Sequence, residues 1–302
     1  MTNFELVKRN AQQLPAQPGA QPADHIRLAE AAKNGVEPLN TFTGDDQQPG
    51  PVLATVTSQD ATLWTVVDAS LSVPMVRVYC TDPTSPYAQA ARDTRIRHNG
   101  DQLTVTVPRI AAPSRTVRHG SSTYIAGSGS SYSYSSVGNM HISSSGVTYT
   151  SSAGGTVING HQGIEIELLL PARSGLSSNT SSGSVQAFGH LAAAKVDASA
   201  GSVNLESVGR AQIQAASGSV RIGTVTEWAD IHAASGSVKV NHHSGQNARV
   251  RAAFGSVKFT IAAEASGTVD IHAASGSVTV YGSRRPDMTV TAEASSGSVR
   301  RL

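Results

Sequence analysis

The chain is poor in most of the residues from which reactive sites are built. It has a single cysteine, Cys80, in 302 residues. That excludes an intramolecular disulfide and a paired-cysteine metal or redox centre, and it fits a reducing compartment. Phe, Trp and Tyr make up 5% of the chain. So few stacking platforms argue against single-stranded nucleic acid as a partner. Charge is scarce and balanced: 15% of residues are charged and the formal net charge is +2, so bulk electrostatics points to no polyanion. No apolar run reaches membrane-spanning length, and Met1-Thr-Asn-Phe-Glu-Leu-Val-Lys-Arg9 lacks the apolar core of a signal peptide. The default expectation is a soluble cytoplasmic protein, with association with a larger particle as the alternative. A phosphate loop, a nucleophile elbow and a dinucleotide fingerprint are also missing; Gly127-Ser-Gly129 is composition rather than motif.

What the chain does have is Gly-Ser-Val. The tripeptide starts at Gly183, Gly201, Gly218, Gly236, Gly255, Gly276 and Gly297, with gaps of 18, 17, 18, 19, 21 and 21 residues. A period near twenty marks stacked repeats. In Asp230–Val240, Ile231 and Ala233 alternate with Asp230 and His232, and Val238 and Val240 alternate with Lys239. Both are the period-two pattern of a half-buried strand, and the Ala-Ser-Gly-Ser between them shifts the parity, which requires a corner. Each repeat is thus two short strands and two turns. The expected fold is all-β: a parallel β-solenoid of about seven short coils over 181–302, each coil hydrogen-bonded to the next at ~4.8 Å. Six residues before the corner glycine stand Lys195, Gln212, Asp230, Arg249 and Asp270; next come Val196, Ile213, Ile231, Val250 and Ile271; then Asp197, Gln214, His232, Arg251 and His272. One apolar column between two polar ones is what in-register stacking demands. The last copy reads as slipped by two residues at Thr289 to Ala294, giving an irregular final coil.

Ahead of the repeats, residues 1–51 read as a polar extension with short helices. Phe4, Val7, Ala11 and Leu14 share one face, a second helix runs from an Asp24 cap through Lys33, and Gly44 to Pro51 is a linker. Residues 52–180 read as a non-repeating β cap on the first coil, with strands at Leu63–Val67, Val73–Cys80, Leu103–Val107 and Ile164–Leu170. Within it, 115–163 is a Ser/Gly-rich insertion carrying Tyr124, Tyr132, Tyr134 and Tyr149. It admits three readings: a flexible insertion, a Tyr/Ser/Gly binding tip, or weakly paired hairpins.

Several columns are candidates for chemistry. Asp230, Arg249 and Asp270 alternate in sign and are expected to form an ion-pair ladder that sets register. His232 and His272, with Arg251 between them, would lie ~10 Å apart, too far to share one zinc. His242-His243 sits in a turn with its side chains pointing opposite ways. No metal, cofactor or catalytic residue is expected. After each corner, Gln186, Asn204, Arg221, Lys239, Lys258, Thr279 and Arg300 form another outward column. Four of these are basic, so it is either a solvated face or a contact surface for an acidic partner, a membrane surface or a cell-wall polymer.

Three features carry a family resemblance: the strand Asp101-Gln-Leu-Thr-Val-Thr-Val-Pro108, the strand-Pro-turn segment Ile164-Glu-Ile-Glu-Leu-Leu-Leu-Pro-Ala-Arg-Ser-Gly-Leu176, and the Ser-Gly-Ser-Val ladder. Together they resemble the putative-adhesin family of bacterial β-strand-repeat domains, common in actinobacteria. The resemblance spans roughly 52–302 and implies a β-solenoid without catalytic residues. That family usually has Gly-Asp-Val or Gly-Asp-Ile at the corner; serine here removes a row of carboxylates. The expected function is a non-enzymatic scaffold presenting surfaces to a protein or surface polymer. One alternative is a self-assembling filament or particle element, joined as a homo-oligomer through an uncapped C-terminal coil ending at Arg300-Arg301-Leu302. A remoter one is a polysaccharide-cleaving β-helix enzyme.

Overall fold

The computed structural model describes residues 35–110, 163–284 and 286–302, together with the backbone of four short strands between the first two stretches. It is nearly all β, with 64% strand and 3% helix, and forms a parallel β-solenoid. The leading elements are β1 (Asn40–Thr43), β2 (Leu53–Ser58), β3 (Ala61–Asp68), β4 (Met75–Cys80), α1 (Pro86–Arg92), β5 (Arg95–Asn99) and β6 (Gln102–Thr106). Two antiparallel pairs follow: β7 (Arg115–His119) with β8 (Ser122–Ala126), and β9 (Tyr132–Tyr134) with β10 (Met140–Ile142). Next come β11 (Ile164–Pro171), β12 (Gly175–Thr180) and three long bent strands, β13 (Val185–Ala198), β14 (Val203–Ser217) and β15 (Val220–Ser235). The chain continues through β16 (Val238–His243), β17 (Asn247–Phe254), β18 (Val257–Ile261), β19 (Gly267–Ser275), β20 (Val278–Tyr281), β21 (Met288–Ser296) and β22 (Val299–Arg301). The helices expected between Phe4 and Lys33 lie outside the described residues.

Each rung contributes one strand to each of two parallel stacks. The first stack runs β11, β3, the first halves of β13, β14 and β15, then β16, β18, β20 and β22. The second runs β6, β2, β12, the second halves of β13, β14 and β15, then β17, β19 and β21. Spatial order departs from chain order at the N-terminal end. The β2–β3 rung lies between the β6–β11 rung and the β12–β13 rung. Thus β2, β3, β6 and β11 are themselves solenoid rungs. What covers the end is antiparallel: β4 on β11, β1 on β4, and β5 on β6. The helix α1 bridges this pair; Pro86 starts it, the Ser85 side chain accepts the Ala88 N–H, and Ala88, Ala90 and Ala91 are buried. Neither β1 nor α1 was legible in the sequence. The insertion holding β7–β10 leaves at Thr106 and returns at Ile164, so it replaces the corner of the β6–β11 rung on the same edge as the glycine corners.

Inside, the columns are those expected. Val196, Ile213, Ile231, Val250 and Ile271 are fully buried and in register. Beside the corner the inward column is alanine (Ala198, Ala215, Ala233, Ala252, Ala273), which lets the two stacks converge there. The final rung corrects an expectation. β21 pairs with β19 without a slip, Ile271 opposite Ala292 and Ala273 opposite Ala294. The apparent slip was alanine standing in a column otherwise filled by β-branched residues.

The corners are held together by backbone. A Cβ built on Gly236 would lie 2.1 Å from the Gly218 carbonyl oxygen, and one on Gly276 would lie 1.9 Å from that of Gly255. Gly236 and Gly276 also have φ of +133° and +134°, which disfavours any L side chain. Hydrogen bonding continues through the corner: the Gly236 N–H donates to Phe254 O at 3.1 Å, and the Val238 N–H to Ser256 O at 2.9 Å. Gly236→Ala should therefore cost about 3 kcal/mol or more, whereas Ser235→Ala, one residue away and exposed, should stay within about 0.5 kcal/mol. Denaturant unfolding of both variants checks this; similar midpoints would mean that the corners are not stacked.

Candidate binding face

Parallel register gathers the outward residues into columns. On the first stack one column runs Arg77, Glu167, Trp64, Gln186, Asn204, Arg221, Lys239, Lys258, Thr279 and Arg300. The expected series from Gln186 to Arg300 is thus brought together on one face. Three members at the covered end were missed, because β3, β4 and β11 join the column by a rearranged chain order that no repeat pattern records.

The two ends of this column differ chemically. At the covered end Glu167 is fully buried, and its Oε2 accepts from Arg77 Nη1 at 3.1 Å and from the Tyr79 hydroxyl at 3.3 Å. Burial, and then the Glu167 charge, raises the Tyr79 pKa, so the phenol stays protonated and donates. Trp64 stacks on Phe188, with ring centroids 6.2 Å apart. At the open end Arg221, Lys258 and Arg300 are exposed and Lys239 is half-buried. The flanking outward positions are Ser219, Ser237, Ser256 and Ser277 on one side and Gly223, Asn241, Thr260 and Tyr281 on the other, none of them a carboxylate; Glu206, beside Gly223 on the previous rung, accepts the Gly189 N–H at 2.9 Å. Lys258 Nζ lies 5.1 Å from the Tyr281 ring centroid.

The second stack presents the other expected columns. Asp230, Arg249 and Asp270 are in register, as are His232, Arg251 and His272. The ion pairs of Asp230 and Asp270, however, run along their own strands and not to Arg249 on the rung between. Asp230 lies 3.2 Å from His232 Nε2 and Asp270 lies 2.7 Å from His272 Nε2. Aspartate two residues before histidine shares its face, and a rigid imidazole reaches it more directly than the long Arg249 side chain does from the next rung. His272 also approaches Glu293 at 3.3 Å. Beside the His232–Arg251–His272 column is an open, alanine-floored groove of about 560 Å³. Among the described residues, no three His, Cys, Asp or Glu side chains are placed to hold a metal ion.

At the second corner, His190 Nδ1 lies 2.8 Å from Ser207 Oγ. The carboxylate that would orient such a ring in a nucleophilic triad, Glu227, is held by Arg210. Burial lowers the His190 pKa. The insertion tyrosines fall on different strands: Tyr124 on β8, and Tyr132 and Tyr134 on β9. Tyr149 lies outside the described residues.

These observations reduce to a two-faced solenoid with one unpaired basic column, and its sequence matches the Toastrack DUF4097 family over residues 88–301. The chain belongs to the Toastrack DUF4097 family. The resemblance drawn from the Ser-Gly-Ser-Val ladder is borne out by this match, which begins after β4. Among solved structures, a putative adhesin from Bacteroides fragilis is 11% identical, with 94% of this chain and 100% of that chain covered at a TM-score of 0.45. One from Parabacteroides distasonis is 11% identical, covers 87% and 96% respectively, and has a TM-score of 0.41. A putative cell adhesion protein from Clostridium sporogenes is 7% identical, with 87% and 97% covered and a TM-score of 0.31. No curated protein matches this Toastrack chain. No helix among its described residues is long and apolar enough to cross a membrane.

One histidine of the pair at the second turn behaves unexpectedly. His242 faces out, 2.9 Å from Glu264. Val240 and His243 both face inward across the second turn, the same three-residue step that Ile222 and Val225 make on the rung before, so His243 enters the column Leu191, Val208, Val225, His243, Ile261. It is fully buried against Phe259, and neither ring nitrogen has a hydrogen-bond partner. Burial, and then the neighbouring His242, lowers its pKa to about 4. Between pH ~6.5 and ~4 the unfolded chain takes up a proton there that the folded chain refuses, so stability falls with pH, by about 3 kcal/mol over the window. His243→Leu should remove this component of acid sensitivity while keeping stability at pH 7. Parallel pH–stability curves for the variant and the wild type would refute the burial of this ring.

Proposed function

We propose that the protein is a non-enzymatic, adhesin-like β-solenoid scaffold that binds an anionic partner through the basic column of its first stack. The observation that carries this is the in-register stacking of Arg221, Lys239 and Lys258 on consecutive rungs, with no carboxylate at the flanking positions of their own strands. Like charges directly opposite in a sheet are destabilising. Where a charge in this same column serves the fold, it is paired, as Arg77 is with Glu167. An anionic partner would relieve the repulsion at the open end. The non-enzymatic part is supported by the His190–Ser207 pair, whose nearby carboxylate is engaged by Arg210, and by Asp230 and Asp270 of the second stack, which lie within ion-pair distance of imidazoles.

The test is retention on a sulfonated matrix. Wild-type protein should bind at low ionic strength and weaken roughly tenfold between about 50 and 300 mM salt. The triple variant Arg221→Glu/Lys239→Glu/Lys258→Glu should not bind, while Asp230→Ser/Asp270→Ser on the opposite stack should bind like wild type. Equal retention of all three proteins would discard the reading.

A further inference from the structure

We infer that the partner is a linear carboxylated polysaccharide lying along the solenoid axis, its charges matched to the spacing of the rungs. The inference rests on the proposed binding face and adds a length scale to it. Parallel strands lie about 4.8 Å apart, so cations in the column can stand only at multiples of that distance. Counted from Arg221 on β15, Lys239 is one rung away, Lys258 two and Arg300 four, with Thr279 on the third. Arg221, Lys258 and Arg300 therefore occupy every second rung, over about 19 Å.

This spacing discriminates among polyanions. An extended acidic peptide advances about 3.3 Å per residue and presents same-side carboxylates about 6.6 Å apart, out of step with the rungs. One nucleic-acid strand carries a phosphate about every 3.4 Å along a duplex, again out of step, and the positions flanking Arg221, Lys239, Lys258 and Thr279 offer one ring, Tyr281, for stacking. A 1,4-linked pyranose advances a glycan by about one strand separation. In a two-fold uronic-acid chain the carboxylates on one side recur on every second ring, the interval of Arg221, Lys258 and Arg300. The neighbouring outward residues Ser237, Ser256, Asn241 and Thr260 supply hydroxyl and amide groups on both flanks, suited to sugar hydroxyls, and Tyr281 supplies a ring face.

The experiment uses the full chain and five probes of matched length: polymannuronate, polygalacturonate, a neutral mannan, polyglutamate and polyphosphate. Binding is measured by calorimetry at low salt. Thr279 already occupies this column, so Arg221→Thr/Lys258→Thr/Arg300→Thr is a conservative substitution, and its thermal unfolding midpoint should match the wild type. At least one polyuronate should bind, with polyglutamate and polyphosphate weaker by about tenfold and the mannan silent. The triple variant should lose about tenfold or more for the polyuronate, and Lys239→Thr, on an odd rung, less than about threefold. If all polyanions bind equally and Lys239→Thr costs as much as any single even-rung substitution, the spacing inference fails while the anionic face stands. If no polyanion binds more tightly to wild type than to the triple variant, both fail.

Discussion

From Gly201 onward, each corner glycine sits directly against the carbonyl oxygen of the glycine one rung below, closer than any Cβ would permit. That contact fixes the rest of the molecule. Both stacks must keep strand spacing right to the edge, so hydrogen bonds run through the turn without a gap. The alanine column behind the corner allows the stacks to converge, and the larger valine and isoleucine columns fill the space as they separate. A slip of one residue would expose Ile231 and bury Asp230 or His232, so the hydrophobic pattern enforces the register that the backbone contact makes available.

Register in turn decides what the faces are. A column of outward side chains is a single chemical surface, because every rung repeats the same direction at the same spacing. On the first stack this yields one column with two characters. At its covered end an arginine, a buried glutamate and a tyrosine satisfy one another; toward its C-terminal end Arg221, Lys239 and Lys258 have no carboxylate at the flanking positions of their own strands. On the second stack Asp230 and Asp270 each face the histidine two residues along. The first stack is the face on which the proposed binding rests, despite a net charge near neutral.

Much of this was legible in the sequence, and what was not has identifiable causes. The repeats announce themselves, because Gly-Ser-Val marks each corner and period two marks each strand. The N-terminal rungs do not: β2–β3 and β6–β11 lack the tripeptide, and one of their corners carries the long insertion, so they read as a separate cap. Chain order hid the contribution of Arg77, Trp64 and Glu167 to the basic column, since β3, β4 and β11 become neighbours only through the exchanged order of the first rungs. The ion pairs expected between rungs formed along strands, because aspartate and histidine two residues apart already share a face. His243 faces inward because the second turn takes three residues between inward positions, as it also does from Ile222 to Val225, and a histidine standing in that apolar column masks the step.

The most direct measurement is a set of distances along the solenoid. With the buried Cys80 replaced by serine, spin-label pairs joining Gln186 in turn to Arg221, Lys258 and Arg300 sample two, four and six rungs of one column. Stacked rungs require separations that grow by about 4.8 Å per rung, reaching about 29 Å for the last pair, with narrow distributions. Separations that fail to increase in that order, or that spread broadly, would contradict the stack and with it every column assigned to its faces.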